Sequence, residues 1–165
     1  MTYGSIAPYV GSPIAVIRRM LQIARLKPGE TLMDLGSGDG RVVIIAAREF
    51  GANAIGVEIR PDLAKQAQQK IEQLNLGHRV KVLNMNMFDA DISQADVITL
   101  YLTTSGNQRL RPKLEKELKP GARVVSHDFE VPGWKPAYVE TFRENPHYTW
   151  TTHTIYLYKP KPQKF

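Results

Sequence analysis

A glycine-rich stretch early in the chain constrains its fold more than any other feature. Residues Asp34–Arg41 read Asp-Leu-Gly-Ser-Gly-Asp-Gly-Arg, at the end of the apolar run Thr31–Leu35 and the start of the helical pattern Arg41–Phe50. Glycine tolerates the positive φ values of tight turns and lets a ligand approach the backbone. The start of the following helix offers unpaired N–H groups. The stretch therefore predicts a strand, a ligand-binding loop and a helix; a plain turn is the alternative.

Short apolar runs alternate with helical patterns along most of the chain. The runs are Thr31–Leu35, Ala54–Glu58, Val80–Leu83, Val97–Leu102 and Ala122–Ser126, and the patterns are Arg41–Phe50, Pro61–Leu76 and a stripe of Leu110, Leu114 and Leu118. Strands that are apolar on both faces and joined by crossover helices form a buried parallel sheet. The late segments Tyr138–Phe142 and Tyr148–Tyr158 pair naturally across Asn145-Pro146. We expect an α/β fold with a Rossmann-like seven-stranded, mostly parallel sheet and an antiparallel C-terminal edge.

The chain is expected to form one domain over residues 1–165, because domains commonly contain about 100–200 residues. Residues 1–12 are predicted to be an irregular lead-in, and residues 159–165 a mobile basic tail. Ser12 is the expected N-cap of a helix that begins at Pro13. Pro112 predicts that the late helix starts or restarts there, because proline interrupts a helix interior.

The composition excludes several kinds of protein and site. The chain has no cysteine, which excludes disulfides, thiolate metal ligands and a cysteine nucleophile. Its net charge of +6 favours acidic partners slightly but does not by itself indicate nucleic acid. No apolar run approaches the roughly 18 residues of a membrane span, and the N-terminus lacks the pattern of a secretory signal. We therefore expect a cytoplasmic protein that does not bind membranes.

The glycine spacing and its acidic neighbours predict the charge of the ligand. Gly36, Gly38 and Gly40 follow a Gly-x-Gly-x-Gly pattern, whereas a dinucleotide fingerprint reads Gly-x-Gly-x-x-Gly. Asp34 and Asp39 flank the loop, and two carboxylates suit a cationic ligand better than a pyrophosphate. Parallel neighbouring strands would bring Glu58 to the same edge as Asp34, where a carboxylate can accept both hydroxyls of a ribose. The alternative for Glu58 is a solvated acid at the end of a strand or a helix cap.

A third segment, just after the third apolar run, predicts an adenine site. Asn86 could accept a hydrogen bond from the adenine amino group, while the backbone around Met87 could donate one to a ring nitrogen. The side chains of Met87 and Ile59 would form an apolar slot for the ring. The alternative is that Met87 and Phe88 belong to the core.

These three segments, in this order, resemble the class I methyltransferases that use S-adenosyl-L-methionine. A closer resemblance is to the small archaeal protein-lysine methyltransferases, whose eukaryotic relatives modify mitochondrial proteins. It rests on residues 8–10, Asp34–Arg41, 113–121 and 124–129. The resemblance implies the class I methyltransferase fold and a cofactor site of Asp34, Gly36, Ser37, Gly38, Gly40, Glu58, Ile59, Asn86 and Met87. Ser37 stands where the family often has cysteine, and Asn86 replaces the usual acidic contact with adenine.

The resemblance also implies that the methyl group passes to lysine side chains of proteins. Because 165 residues leave little room for an extra recognition domain, we expect broad acceptance of exposed lysines. Tyr101, at the end of the fourth run, is the first candidate to line an aromatic channel, followed by Tyr9 and Phe129. A core aromatic is the alternative for Tyr101. His127 could orient the substrate or relay a proton, although a local hydrogen bond is the favoured interpretation. His78 and His153 are too scattered along the chain to join His127 in a metal site, so we expect no metal.

The sequence leaves other functions open. The fourth run ends in Leu-Tyr-Leu-Thr, without the Asn/Asp-Pro-Pro-aromatic signature expected of enzymes that methylate exocyclic base nitrogens. The absence of cysteine disfavours methylation at C5 of cytosine. Nucleic acid is therefore not the favoured partner. The alternatives are a small-molecule or RNA methyltransferase, and a non-catalytic nucleotide-binding module with the same fold.

Overall fold

The computed structural model describes residues 11–148 and 151–163. Helices and strands alternate along this part of the chain. The helices are α1 (Ile14–Ile23), α2 (Arg41–Phe50), α3 (Pro61–Gln73) and α4 (Thr104–Glu117), with a 3-10 turn at Met87–Asp89. The strands are β1 (Thr31–Leu35), β2 (Asn53–Glu58), β3 (Val80–Asn84), β4 (Val97–Leu100), β5 (Arg123–His127), β6 (Tyr138–Arg143) and β7 (Thr152–Tyr158). The predicted elements are present, with ends that differ by a few residues.

The strands form one seven-stranded sheet in the order β3-β2-β1-β4-β5-β7-β6. The first five strands pair in parallel, and β7 lies antiparallel between β5 and β6. The predicted mostly parallel sheet with an antiparallel C-terminal edge is therefore confirmed. Because β1 lies between β2 and β4, the carboxyl ends of these three strands meet at one edge, where open α/β sheets bind ligands.

Helices bury both faces of the parallel part of the sheet. Residues of α1, α2 and α3, such as Ile17, Val43 and Ile71, form one hydrophobic cluster with the sheet. Leu110 and Leu114 of α4 belong to the second cluster. Each fully buried side chain of this kind contributes about 1.5–3 kcal/mol to stability. None of the helices within the described ranges has the length and apolar character needed to cross a membrane.

The start of α1 differs from the prediction. Pro13 occupies the N-cap position without a side-chain hydrogen bond, and its carbonyl accepts from the Ile17 N–H at 3.0 Å. Ser12 does not cap the helix; its hydroxyl lies 2.9 Å from Nδ1 of the buried His127. The first two residues of α1 are exposed, with Ile14 49% accessible, so their N–H groups can bond to water. A buried imidazole nitrogen has no such substitute and needs a protein partner.

Pro112 does not start or restart a helix. Helix α4 runs through it without interruption from Thr104 to Glu117. Pro112 and Gln108 are exposed, so the Gln108 carbonyl, which loses its usual N–H partner, can bond to water. Leu110 and Leu114 are fully buried on the other side of the helix. Their burial outweighs the roughly 3 kcal/mol that an interior proline costs.

The described part of the C-terminal tail contacts the turn that precedes β5. The Gly121 N–H donates to the Lys161 carbonyl at 2.7 Å. The Lys161 ammonium donates to the Leu118 carbonyl at 2.6 Å, next to the C-terminal end of α4. A cation is favourable there because helix C-terminal ends carry partial negative charge. With a longer bond from its ammonium to the Lys116 carbonyl at 3.4 Å, Lys161 is held by three hydrogen bonds. The mobility of the whole tail stays a prediction.

Candidate active site

The loop between β1 and α2 is a tight turn with positive φ angles. Gly36, Gly38 and Gly40 have φ values of 85°, 56° and 85°, which glycine adopts without strain. The N–H groups of Gly36 and Ser37 donate to the Val57 carbonyl of β2 at 2.8 and 3.0 Å. The predicted strand, glycine loop and helix are therefore present, and the loop is fixed to the neighbouring strand.

Two of these glycines also lie where a side chain would meet close neighbours. A Cβ on Gly36 would lie 3.1 Å from Cδ2 of Leu102 and 3.7 Å from Cε of Met87. A Cβ on Gly40 would lie 3.0 Å from the Cβ of Ala67 in α3. Gly36 therefore keeps a narrow recess open beside Leu102 and Met87, whereas Gly40 lets α3 pack against the loop.

Asp34 is a buried carboxylate at the carboxyl end of β1, with 6% of its surface exposed. Its Oδ1 accepts a hydrogen bond from Thr99 Oγ1 at 2.7 Å, because the two residues pair across β1 and β4. Burial raises the pKa of Asp34 to about 7, the Thr99 hydrogen bond opposes this, and the charge of Glu58 adds to it. A nearby positive charge would stabilise the ionised carboxylate. The site therefore suits a cationic ligand.

Glu58 ends β2 and is also buried, with both carboxylate oxygens bonded to the backbone. Oε1 accepts from the Gly38 N–H at 2.8 Å, and Oε2 accepts from the Arg60 N–H at 2.9 Å. Each oxygen has a second lone pair, so the carboxylate can still accept hydroxyl groups. Glu58 thus also holds the middle glycine of the loop, a role that the sequence does not reveal.

Asp39, the third acid of the region, forms an ion pair with an arginine. The Asp39 carboxylate accepts from the Arg41 guanidinium at 2.8 Å. Its charge is therefore compensated, whereas Asp34 has no ion pair within the described ranges. The two acids that flank the loop in sequence are accordingly not equivalent, and Asp34 and Glu58 are the pair at the sheet edge.

The segment predicted to bind adenine follows β3. Oδ1 of Asn86 accepts from the Phe88 N–H at 2.9 Å and so caps the 3-10 turn. A second lone pair on Oδ1 remains for an amino group. Met87 is half-buried and reaches the recess at Gly36. Ile59 is half-buried after β2. The arrangement brings Asn86 and Met87 to the edge that carries Glu58, and their adenine role stays a prediction.

The predicted aromatic residues stack beside this edge. The rings of Tyr101 and His127 lie 4.0 Å apart between centroids at 24°, and Tyr101 and Phe129 lie 6.1 Å apart. Tyr101 and Phe129 are partly exposed, whereas the side chain of His127 is fully buried. Tyr9 lies outside the described residues. Tyr101, His127 and Phe129, three of the four residues predicted to face the substrate, are therefore adjacent.

His127 and His153 lie together, contrary to the prediction that they are too far apart to share a site. Nε2 of His127 lies 2.7 Å from Nδ1 of His153, and Asp128 Oδ2 lies 3.4 and 3.7 Å from these atoms. The contact arises because β7 returns antiparallel to β5 and pairs Ile155 with His127. His153, two residues earlier, falls on the same side. These three residues offer atoms that could hold a metal ion.

Burial and neighbouring charges decide the protonation of His127. Burial lowers the pKa of His127 to about 4, although the charges of Asp128 and Glu144 raise it and that of His153 lowers it. His127 is therefore neutral at neutral pH, with one ring nitrogen as a hydrogen-bond donor and the other as an acceptor. Burial also raises the pKa of Tyr101, with Asp128 contributing.

Sequence reasoning missed four residues that complete these sites: Thr99, Ser12, His153 and Glu144. Thr99 carried a usable signal, because it is the polar residue within the otherwise apolar β4. The other three carried none. Their partners lie on other elements, and only the return of β7 and the start of α1 bring them together.

The fold and the crevice define a class of protein. The strand order, the glycine loop after β1 and the acid that ends β2 characterise class I methyltransferases that use S-adenosyl-L-methionine. A structure described as an RNA methyltransferase from Salinibacter ruber in complex with S-adenosyl-L-homocysteine matches with a TM-score of 0.83. It is 42% identical, and the match covers 94% of this chain and 96% of that chain. A structure of a MtNAS mutant in complex with S-adenosylmethionine, 17% identical, matches in fold with a TM-score of 0.72 and covers 88% of this chain and 61% of that one.

Sequence similarity identifies the family within this class. The ANTKMT methyltransferase domain family matches residues 34–138, and the chain belongs to this family. A protein-lysine N-methyltransferase of Saccharolobus islandicus (strain REY15A) is 45% identical over 159 residues, which cover 96% of each chain. An adenine nucleotide translocase lysine N-methyltransferase of Mus musculus is 35% identical over 80% of this chain and 57% of that protein.

Proposed function

We propose that this methyltransferase transfers the methyl group of S-adenosyl-L-methionine to lysine side chains of proteins and accepts a broad range of exposed lysines. The observation that carries the proposal is the adjacency, at one sheet edge, of a recess with two buried acids and a partly exposed aromatic stack. The acids suit a cationic cofactor, and the aromatic faces suit a cationic amine. The similarity to a protein-lysine N-methyltransferase over nearly the whole chain supports lysine as the acceptor.

The residues of the crevice fit the cofactor. The recess that a Cβ on Gly36 would fill lies beside Met87, which with Ile59 would contact the adenine. Asn86 would accept from the adenine amino group, Glu58 from the ribose hydroxyls, and Asp34 would stabilise the positive charge of the methionine part. When bound, the cofactor supplies a methyl group already activated by its sulfonium.

The acceptor lysine needs orientation and the loss of one proton. Tyr101 and Phe129 present aromatic faces that attract an ammonium group. In a partly dry channel, burial lowers the pKa of the amine and favours the neutral nucleophile. The remaining task is alignment, because the nitrogen must approach the methyl carbon in line with sulfur at about 3–3.5 Å. Tyr9 is proposed to line the same channel.

RNA is the second candidate acceptor, because the Salinibacter ruber neighbour is described as an RNA methyltransferase. The fourth run of this chain lacks the signature of exocyclic base methylation, and its net charge of +6 is mild. We therefore favour protein substrates. We also propose that the protein acts in the cytoplasm and requires no metal.

Labelled methyl transfer tests the proposed acceptor. The protein is incubated with cofactor carrying a labelled methyl group, together with a lysine-rich protein, the same protein with acetylated lysines, or RNA. We expect label on the unmodified protein, sensitive to protease and strongly reduced after acetylation. Label on RNA, or on small molecules alone, would contradict the assignment.

A pair of acid variants serves as the control. Glu58→Ala removes a proposed cofactor contact and should lose most of the transfer. Glu72→Ala removes an exposed acid on α3 and should transfer at the rate of the unaltered protein. Equal activity of both variants would show that the measured transfer does not depend on the crevice.

A further inference from the structure

We propose that His153 and Glu144 are positioning residues that fix the tautomer of His127 and carry the proton of the acceptor lysine to solvent. The proposal rests on the proposed lysine methylation and adds to it a route for the released proton. Four side chains form the route, and we call them the histidine relay: Ser12, His127, His153 and Glu144. They are joined by three hydrogen bonds from the start of α1 to the end of β6.

The outer end of the relay determines the proton positions. Nε2 of His153 lies 2.6 Å from Oε1 of Glu144. An ionised carboxylate only accepts hydrogen bonds, so Nε2 of His153 carries the proton and its Nδ1 is an acceptor. Nε2 of His127, 2.7 Å from that Nδ1, must therefore donate. Nδ1 of His127 is then left as an acceptor for the hydroxyl of Ser12 at 2.9 Å. Every donor has one acceptor, and all the bonds run in the same direction.

The relay connects the cofactor side of the sheet edge with the surface. At its inner end, the Ser12 carbonyl accepts from the guanidinium of Arg41, which follows the glycine loop. Ser12 is buried, and His127 lies fully buried under the ring of Tyr101. At its outer end, 33% of the Glu144 side chain is exposed to solvent. A proton that enters at Ser12 can therefore reach water without crossing apolar surface.

The proposed step moves one proton and no electrons. The lysine ammonium gives a proton to Ser12 Oγ while the hydroxyl proton of Ser12 passes to Nδ1 of His127. The Nε2 proton of His127 passes to Nδ1 of His153, and the Nε2 proton of His153 passes to Glu144, which releases it to water. The lysine keeps the lone pair that attacks the methyl carbon. The two rings return to their first tautomers before the next turnover.

The groups that face His127 are compatible with this role. Within the described ranges they are Tyr101 at the end of β4, Asp128 after β5 and His153 on β7, with Glu144 acting through His153. Asp128 Oδ1 accepts from the Thr154 N–H at 3.0 Å, which leaves Oδ2 beside the two rings. A carboxylate in that position stabilises a ring while it carries an extra proton.

A bound cation is the competing explanation for the cluster. Asp128 Oδ2 and the two facing imidazole nitrogens could together coordinate a metal. The relay is favoured because the 2.7 Å between Nε2 and Nδ1 is the length of a direct hydrogen bond. The other two ring nitrogens, Nδ1 of His127 and Nε2 of His153, bond to Ser12 and Glu144. All three hydrogen bonds then run from donor to acceptor in the direction from Ser12 to Glu144.

Steady-state methylation of a lysine-rich protein across pH tests the relay. Glu144→Gln keeps an acceptor oxygen but removes the charge, and His153→Ala interrupts the route. We expect kcat near pH 7 to fall about tenfold with KM nearly unchanged, because the cofactor and protein sites remain. The loss should shrink towards about pH 9–10, where hydroxide can take the proton. Imidazole in the buffer should restore part of the activity of His153→Ala.

Three results would overturn the relay. One is a pH profile for both variants that matches the unaltered protein. Another is an equal loss of kcat at every pH without rescue by imidazole, which indicates a structural role. The third is loss of activity with a chelator and recovery with Zn²⁺, which indicates a metal site. Glu72→Gln serves as the control for removing a distant exposed acid. If the unaltered protein labels no lysine at all, the proposed function fails instead.

Discussion

Two regions at the same sheet edge are built in different ways. The crevice around the glycine loop consists of consecutive residues from Asp34 onward, closed by Glu58, which bonds to Gly38 20 residues away. The histidine relay joins Ser12 to His127 across 115 residues and His127 to His153 across 26 residues. The first region follows from local chain geometry, whereas the second exists only after α1 and β7 have packed. Cofactor binding is thus encoded by a short motif, and the substrate side depends on long-range assembly.

The largest expected effect is on cofactor affinity, and it distinguishes the loss of a ligand contact at Gly36 from the effect of backbone strain alone. Gly36→Val places a side chain at φ 85° and against Leu102, so calorimetry should show cofactor affinity reduced more than about 100-fold. Gly29 has φ 81°, and a Cβ added there would meet no atom of the described residues within 4 Å. Gly29→Val should therefore lose about as much stability through backbone strain as Gly36→Val, about 1–3 kcal/mol, but it should keep cofactor binding. If both variants lost cofactor affinity equally, the glycine loop would be a structural turn and not a ligand contact.

The next expected effect concerns the two roles of Glu58. Glu58→Ala should weaken cofactor binding by about 1–3 kcal/mol, because charge-assisted hydrogen bonds to ribose and the bond from Gly38 are both lost. Glu58→Gln keeps an acceptor for the Gly38 N–H and should lose less. An unchanged dissociation constant in Glu58→Ala, measured by calorimetry, would refute the ribose assignment.

A smaller effect is expected from pH, and it distinguishes the two regions. The pKa of Asp34 is raised to about 7, so its carboxyl is mostly protonated at pH 6 and mostly ionised above pH 7. A cationic cofactor binds the ionised form better, so affinity should rise roughly eightfold between pH 6 and 7.5. His127, with a pKa of about 4, does not titrate in this range. Asp34→Asn should abolish the rise, and a pH-independent affinity in the unaltered protein would contradict the ion contact.

The smallest expected effect compares Ser37, a buried serine of the glycine loop, with Ser126, a buried serine next to His127 of the relay. The Ser37 hydroxyl lies against Gly56 and has no hydrogen-bond partner in the described structure. Removing an unpaired buried hydroxyl favours the folded state, so Ser37→Ala should raise the free energy of unfolding by about 1 kcal/mol.

Ser126→Ala is the matched variant for that comparison. The Ser126 hydroxyl donates to the Phe129 carbonyl and accepts from Asn107. Its loss should therefore lower the free energy of unfolding by about 1 kcal/mol. Denaturant unfolding measures both changes. A destabilised Ser37→Ala variant that also binds cofactor more weakly would mean that the Ser37 hydroxyl contacts the ligand.

Local patterns predicted most of the fold. The apolar runs, the glycine loop and the break at Asn145-Pro146 led to the seven-stranded sheet and its antiparallel edge. The errors fall where packing overrides a local preference. Helix α4 continues through Pro112 because its leucines are buried, and Ser12 leaves the helix N-terminus because His127 needs a partner.

The sequence by itself determined the strand–loop–helix unit, the acid at the end of β2 and the class of cofactor. These features depend on residues that are adjacent or on neighbouring parallel strands, where backbone geometry fixes the distances. Only the tertiary structure decided that Glu58 holds Gly38 and that His153 meets His127. Such contacts depend on burial and on the return of β7, and the order of residues along the chain does not specify the distance between side chains on separate elements.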